Sequence, residues 1–433
     1  MNIFNTRKKV SIIFLLIVLG LLGYYLYEKN IGTINIPNKV SLEEASDLDE
    51  NNNVVDTDND TSTTDDELSK VESLPGFTLP AGFALRIFAK NVPDARVIEM
   101  DPKGRILVSQ TGEGKITAFT NNDGDAESDD RKVLASGLNN PHGLAFKCDA
   151  STQGEKCFLY VAESDALSRY LYDAEALSLG KKEKLMSMAT SSSGGHFTRS
   201  LLFLPSPNEN VLLVSVGSSC NVCDEKDNDR ASVLSYNVTT GKKAVYAKGL
   251  RNATFMALNP VSGKAYATEM GRDNLGDNIP PDEVNILEKN KNYGWPVCYG
   301  KNIHDEEFDK KVYIRNPCME PFETPSFVDL QAHSAPLGLS FVLEEGWPEE
   351  YRYDLLVAYH GSWNRSVPTG YKIVRLKMSA SGKYSGTEDF ITGWLKTDGS
   401  KTGRPVDIKV FSRGVAYISD DSAGVVYKLF RTK

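Results

Sequence analysis

The sequence predicts an all-β fold, a six-bladed β-propeller, on three observations. Short runs of alternating apolar and polar residues recur from residue 76 onward, bounded by Gly, Asn, Asp and Pro, which is the pattern of strands and turns. These runs group into six similar units at roughly 50-residue spacing, which matches a propeller period better than a sandwich. Helical periodicity is scarce, with DAEALSLGKKEKL at 173–185 the main doubtful stretch.

In chain order, each unit is a strand, a polar turn and a second strand. They are GRILVSQTGEGKITAF (104–119), CFLYVAESDALSRYLY (157–172), NVLLVSVGSS with ASVLSYNVTTGKKAVY, GKAYATEMGRDN with DEVNILEK, YDLLVAYHGSW with GYKIVRLKM, and GVAYISDDSAGVVYKLF (414–430). Ahead of each lies another apolar strand introduced by a turn: VIEM, HGLAF, SLLFL, FMALNP, LGLSFV and VDIKVF. One strand is spare, ALRIFAK at 84–90, and it is expected to close the ring by completing the C-terminal blade.

Three regions are expected: 1–27 a cytoplasmic tip and transmembrane anchor, 28–75 a linker, and 76–433 the propeller. Val10 to Tyr27 is almost wholly apolar and follows Arg7, Lys8 and Lys9. As a helix it would span about 27 Å, enough for a bilayer core. The preceding positive charge keeps the N-terminus cytoplasmic and puts the propeller outside, in a periplasm or on the cell exterior. An uncleaved anchor is preferred to a signal peptide, because no small-residue cleavage site follows. Residues 28–75, with NNNVVDTDNDTSTTDDELS, are acidic and poor in aromatics and read as a disordered stalk.

The chain has 433 residues, is 40% hydrophobic and carries a net charge of −9. Without a basic stripe to neutralise phosphates, a nucleic-acid partner is not expected. Six cysteines form three local pairs, Cys148 with Cys157, Cys220 with Cys223 and Cys298 with Cys318, as suits disulfides in an exported domain. Asp224 follows Cys223 where haem attachment would need histidine, and a second close pair for zinc is missing.

In a propeller the turns ahead of the innermost strands meet at one mouth of the channel. The chemical candidates are therefore His142, His196 with Arg199, Arg251 with Asn252, His333, His360 with Arg365, and Arg404. His304 has no such place and reads as surface. His196 follows glycines 194 and 195, which permit close approach of backbone and ligand. Its imidazole, with an ordinary pKa of about 6.5, suits abstraction of a hydroxyl proton near neutral pH.

The set GGHFTRS (194–200), GLRN (249–252), EMGRDN (269–274), DEVN (282–285), NYGWP (292–296), HGSWNR (360–365) and GRPVDI (403–408) resembles a known family. It is that of the soluble sugar dehydrogenases dependent on pyrroloquinoline quinone (PQQ), the glucose and L-sorbosone group, in its sorbosone-type branch. The resemblance runs in order from residue 76 to 431 and implies the same six-bladed fold. It implies a quinoprotein oxidising a sugar or sugar aldehyde, with His196 as general base and electrons passed to an external acceptor. It implies Arg251 and Asn252 beside the quinone oxygens, where a guanidinium would stabilise developing negative charge. Arg404 resembles an arginine that holds a PQQ carboxylate. The family's cofactor lysine has no clean match, and His360 or Arg365 occupies that region. His142 and Arg199 complete the expected cofactor contacts.

Calcium is the implied metal, held partly by main-chain oxygens in the turn of Gly271 and Arg272, with Asp282 and Glu283 as further ligands or as solvated turn carboxylates. The segment NLGDNIPP lengthens that turn relative to glucose dehydrogenases. Where glucose-type enzymes place an acid after the glycine at 217, this chain has Ser218, and Asp224, Glu225 or Asp227 could substitute. NNDGDAESDD at 121–130 resembles a calcium loop but sits where a hairpin turn is expected anyway. Two other readings stand beside the dehydrogenase: a non-catalytic surface propeller that binds carbohydrate or protein, and a calcium-using lactonase or esterase. The last lacks a G-x-S-x-G nucleophile elbow.

Overall fold

Each of the six units folds into one sheet with four antiparallel strands, built from the innermost apolar strand outward, and a short fifth strand joins blade two (Ser178–Leu179) and, in parallel, blade three (Lys291–Asn292). The structure, a computed structural model, describes residues 73–151, 154–190, 195–343 and 345–432. Blade one is Ala95–Met100, Ile106–Gln110, Lys115–Thr120 and Asp130–Ala135. Blade two is Leu144–Ser151, Gly154–Ala162, Ala166–Asp173 and Glu183–Ser187. Blade three is Leu201–Phe203, Val211–Val216, Ser232–Asn237 and Lys243–Lys248. Blade four is Ala253–Leu258, Ala265–Glu269, Asp282–Leu287 and Val328–Leu330. Blade five is Pro336–Phe341, Leu355–Tyr359, Lys372–Met378 and Tyr384–Ile391. Blade six is Pro405–Phe411, Val415–Asp420 and Val425–Arg431, completed by Phe83–Lys90 from the other end of the domain.

The innermost strands touch one another in ring order, blade six returning to blade one. The spare strand closes the circle as expected, pairing antiparallel with Val425–Arg431 and burying Phe83, Leu85 and Phe88. Blade faces pack on one another, so second strands such as Ile106–Gln110 and Leu355–Tyr359 are buried on both sides, which explains their nearly unbroken apolar runs. Asp130–Ala135 was not legible as a fourth strand: it is a mostly exposed edge strand, rich in charge and without a buried face to impose alternation. No helix forms at 173–185, where a turn leads into Ser178–Leu179 and Glu183–Ser187.

At the seam of blades six and one, Asp407 Oδ2 accepts the Ile98 amide at 2.8 Å, and Lys409 pairs with Glu99 at 3.2 Å. Blade four carries a long excursion between its third and fourth strands, containing the hairpin Cys298–Tyr299 with Ile303–His304. His304 lies there beside Asp309 and Tyr313, away from the mouth residues. The disulfides are Cys148–Cys157, Cys220–Cys223 and Cys298–Cys318. The first joins register partners of one hairpin.

The loop 121–130 is a self-bonded turn, and the Lys428 ammonium already occupies its carbonyls at Asp125 and Gly124, so a calcium there has no support. The expected anchor at 10–27 and the linker through residue 72 lie outside the described residues. Among the described residues no helix is long and apolar enough to cross a membrane.

Candidate functional site

Residues from all six blades meet at one mouth, linked in a closed chain. From blade six, Asp421 accepts from the His360 ring Nε2 at 2.9 Å and pairs with Arg96 of blade one at 3.1 Å. Arg96 lies over the Phe197 ring of blade three at 5.4 Å, with His142 of blade two beside that ring. The Ser218 amide of blade three donates to the Arg251 carbonyl of blade four at 2.7 Å. Asp273 of blade four accepts from Asn364 of blade five at 3.0 Å. Arg404 of blade six returns to blade five, donating to the carbonyls of His360 at 3.1 Å and Gly361 at 2.6 Å.

His196 sits where the chain is forced into close approach. Gly195 has φ +99°, and a Cβ there would meet the Ser219 backbone at 2.8 Å. A Cβ on Gly217 would meet the His196 Cβ at 2.5 Å and Asn252 Oδ1 at 2.7 Å, so only glycine lets those two side chains lie together. Gly194 is outside the described residues. The His196 Nδ1 reaches Ser218 Oγ at 2.9 Å and the Ser218 carbonyl at 3.2 Å. Ser218 Oγ donates its own proton to the Cys220 carbonyl at 2.6 Å, so it must accept from His196. Nδ1 therefore carries the ring proton and Nε2 keeps its lone pair. Burial, and then the nearby Arg251 charge, pull the ring's pKa down to about 3, so His196 is neutral at ordinary pH.

Ser218 thus stands where an acid was sought. Glu225 does not substitute: it accepts from the Ser219 amide and hydroxyl at 2.5 and 2.8 Å. Asp227 accepts the Asp229 amide, and Asp224 is exposed.

Arg251 is buried and pairs with Asp273 at 2.9 Å, donating also to Asn221 and to the Met270 carbonyl. The Asn252 amide donates to Glu269 at 3.0 Å, while Asn252 Oδ1 has no partner. Burial, and then Glu283 opposite in the strand register, hold the Glu269 carboxyl well above the usual range. Arg199 is fully buried and donates to the carbonyls of Thr198, Ala189 and His196. Burial lowers its pKa to about 9, with Arg230 adding to the effect. His142 is fully buried beside Phe255, and neither ring nitrogen has a partner of ordinary geometry. Burial, then Arg96 and Arg199, hold it neutral. Burial also lowers His360 to about 4 against the opposing pull of Asp421.

Several expected residues do not join the group. Arg365 donates to the Ala332 carbonyl and to Asn278 Oδ1, against the inserted loop. His333 staples the same loop through the Gly276 and Ile279 carbonyls, at 2.7 and 3.1 Å, and meets the group only at its rim, where Nδ1 accepts from Asn364 at 3.3 Å. Asp282 and Glu283 do not act as a ligand pair, because neighbours on a strand face opposite ways. Asp282 accepts from Gly271, Ser334 and Ala335, and Glu283 from Gly300 and Asn285. Burial raises these carboxyls to about 6 and about 7. The Arg272 side chain is taken by Asp305 at 2.6 Å.

Arg96, Asp421, Ser218, Asn221 and Asp273 were missed as functional. Arg96 was detectable as a lone charge beside the apolar run VIEM, and Asp421 as half of an acidic pair in the last turn.

The charge balance is lopsided. Arg96 and Arg251 have carboxylate partners, but among the described residues Arg199, Arg230 and Arg404 make none at ion-pair distance. Unpartnered buried atoms remain on Arg96 Nε, Arg199 Nε, His142 and Asn252 Oδ1. Such a mouth suits an anionic ligand with several acceptor oxygens.

Comparison with known proteins agrees with this architecture. An uncharacterised protein of Borreliella burgdorferi is 31% identical over 362 residues, 82% of this chain and 91% of that protein. A PQQ-dependent pyranose dehydrogenase of Coprinopsis cinerea is 24% identical over 396 residues, and this chain spans only 52% of its length. The PQQ domain of the Coprinopsis pyranose dehydrogenase, in its holo form, superposes with a TM-score of 0.66 at 22% identity, covering 83% of this chain and 100% of that one. The calcium structure of a Trichoderma reesei family AA12 carbohydrate-active enzyme superposes with a TM-score of 0.69 at 20% identity, covering 84% and 99%. Residues 77–432 match the TrAA12-like family through all six blades, and the chain belongs to that family.

Proposed function

We propose that this protein is a PQQ-dependent dehydrogenase of sugars or sugar aldehydes, passing electrons to an external acceptor. One observation carries the reading. A neutral histidine with its Nε2 lone pair free lies among guanidiniums of which, among the described residues, Arg199 and Arg230 have no carboxylate at ion-pair distance. The donor set fits PQQ, a planar tricarboxylate. Arg404, Arg96 and Arg199, with the unpartnered His142 nitrogens, supply cationic and polar contacts for carboxylates, and Arg251 with Asn252 lies next to His196. When bound, PQQ supplies a two-electron acceptor for the hydride leaving the sugar carbon.

The chain's own work is positional and proton-handling. His196 Nε2 takes the substrate hydroxyl proton while Nδ1–H stays bonded to Ser218. Arg251 presents fixed positive charge beside the histidine, where negative charge would develop. Asp282 and Glu283 do not fit the part of calcium ligands, and no step runs through that ion. The sorbosone-type branch is supported by the GSSCNVC turn, and the family relationship supports sugar chemistry. The basic residues before the apolar segment 10–27, and three disulfides, support a membrane-anchored propeller outside the cytoplasm.

The test is PQQ titration of the purified protein, followed by dye reduction with a panel of aldoses and sorbosone. Saturable PQQ binding, turnover that requires it, and loss of turnover in His196→Ala are expected. Without PQQ binding or turnover, a non-catalytic binding propeller becomes the better reading, and the absence of an acid at Ser218 favours it.

A further inference from the structure

Arg251 is held chiefly by one residue of the neighbouring blade. Its Nε donates to the Asn221 carbonyl and its Nη2 to Asn221 Oδ1, both at 2.9 Å. Asn221 Oδ1 also accepts the Asp273 amide at 2.8 Å, and Asn221 Nδ2 donates to the Asp273 carbonyl at 3.1 Å. Asp273 in turn pairs with Arg251 at 2.9 Å. Trp295 Nε1 approaches the Asn221 carbonyl at 3.4 Å. Both ends of the amide and the backbone oxygen of this residue are therefore spent on Arg251 and on its carboxylate partner Asp273.

Asn221 also cannot swing freely. It lies inside the short span closed by Cys220–Cys223. The Cys220 carbonyl is fixed by Ser218 Oγ, the same hydroxyl that orients His196. Ser219 is fixed by Glu225. Of the five guanidinium hydrogens of Arg251, the contacts to Asn221, Asp273 and Met270 engage four.

We propose that Asn221 is a positioning residue for Arg251, held in place by the Cys220–Cys223 crosslink, so that the fifth guanidinium hydrogen keeps one direction beside His196. The proposal rests on the dehydrogenase reading for its consequence in catalysis, though not for its geometry. A long arginine side chain otherwise has many rotamers, and fixing it beforehand is what makes its charge useful in a transition state. The same loop would then set both the histidine tautomer, through Ser218, and the arginine, through Asn221.

The test uses the full chain and two readouts. The first needs no cofactor: modification of arginines by phenylglyoxal, followed by mass spectrometry. Arg251 is expected to react at least tenfold faster in Asn221→Ala than in the wild type, while Arg199, equally buried, does not change. Asn221→Asp keeps the acceptor oxygen and is expected to restore most of the protection. Cys220→Ser with Cys223→Ser is expected to move Arg251 the same way as Asn221→Ala, by a smaller factor. The second readout is turnover per bound PQQ, expected to fall at least tenfold in Asn221→Ala with sugar KM within threefold. A merely structural role would lower thermal stability and leave turnover per bound PQQ alone. Unchanged Arg251 labelling in Asn221→Ala overturns the proposal, and unchanged labelling in the double serine variant overturns the part given to the disulfide. Should Asn221→Ala not fold, Asn221→Ser, too short to span the gap, decides in its place. If the wild type neither binds PQQ nor turns over, the functional reading fails while the labelling still decides the positioning.

Discussion

Replacing Gly217 with alanine should disable the site while leaving the propeller folded. The added Cβ would lie 2.5 Å from the His196 Cβ and 2.7 Å from Asn252 Oδ1. Unstrained carbon contacts begin near 3.5 Å, so His196 or the strand end must retreat by about 1 Å. Gly217 is not in the left-handed region, so alanine adds crowding without backbone strain. Overpacking of this kind costs about 1–3 kcal/mol, within what a domain of this size tolerates. The effect on rate is larger, because a misplacement of about 1 Å at reacting groups costs on the order of 100-fold. Steady-state kcat on PQQ-loaded enzyme, together with a thermal melt, checks this. A kcat within threefold of the wild type would show that His196 and Asn252 need not lie together, and the geometric argument for the base would fall.

Two further outcomes are expected. Ser218→Asp places a carboxylate against Nδ1–H of His196 and raises the ring's pKa from its lowered value of about 3. Protonation inactivates a base, so the acidic limb of the kcat/KM profile moves to higher pH by about one to two units; an unmoved limb means that Ser218 is not the partner. Burial raises Asp407 to about 6, so its contribution to stability is present below its ordinary pKa and is lost as pH rises through 6. Asp407→Asn removes that titration, and its stability relative to the wild type, from urea melts at pH 4 and pH 7, should improve by roughly 3 kcal/mol at the higher pH. A difference independent of pH would refute the buried charge at the seam.

The blade count, the closing strand and the cysteine pairs were all legible in the sequence, for one physical reason. Each depends on short-range pattern: period-two burial, turn residues at fixed intervals, and cysteines near enough to meet across a hairpin or loop. His196 after the glycines at 194 and 195 was legible too, since glycine there marks close approach, whereas its packing on Gly217 appears only in the folded chain. An outer strand such as Asp130–Ala135 was not legible, because solvent on both faces removes the alternation that betrays a strand.

Tertiary structure decided the rest. Arg96 and Asp421 are 325 positions apart and become partners only when blade six closes on blade one. Asp282 and Glu283 look like a ligand pair in one dimension, yet a strand turns them to opposite faces. Arg365 looks like a cofactor arginine by its motif, yet the inserted loop claims its guanidinium. Ser218 fills the place of an acid because its hydroxyl can donate a hydrogen bond to the Cys220 carbonyl and still accept from His196. Sequence pattern determines which strands form, because burial acts residue by residue. Which polar groups share a site depends on ring closure and side-chain direction, and only the folded chain sets those.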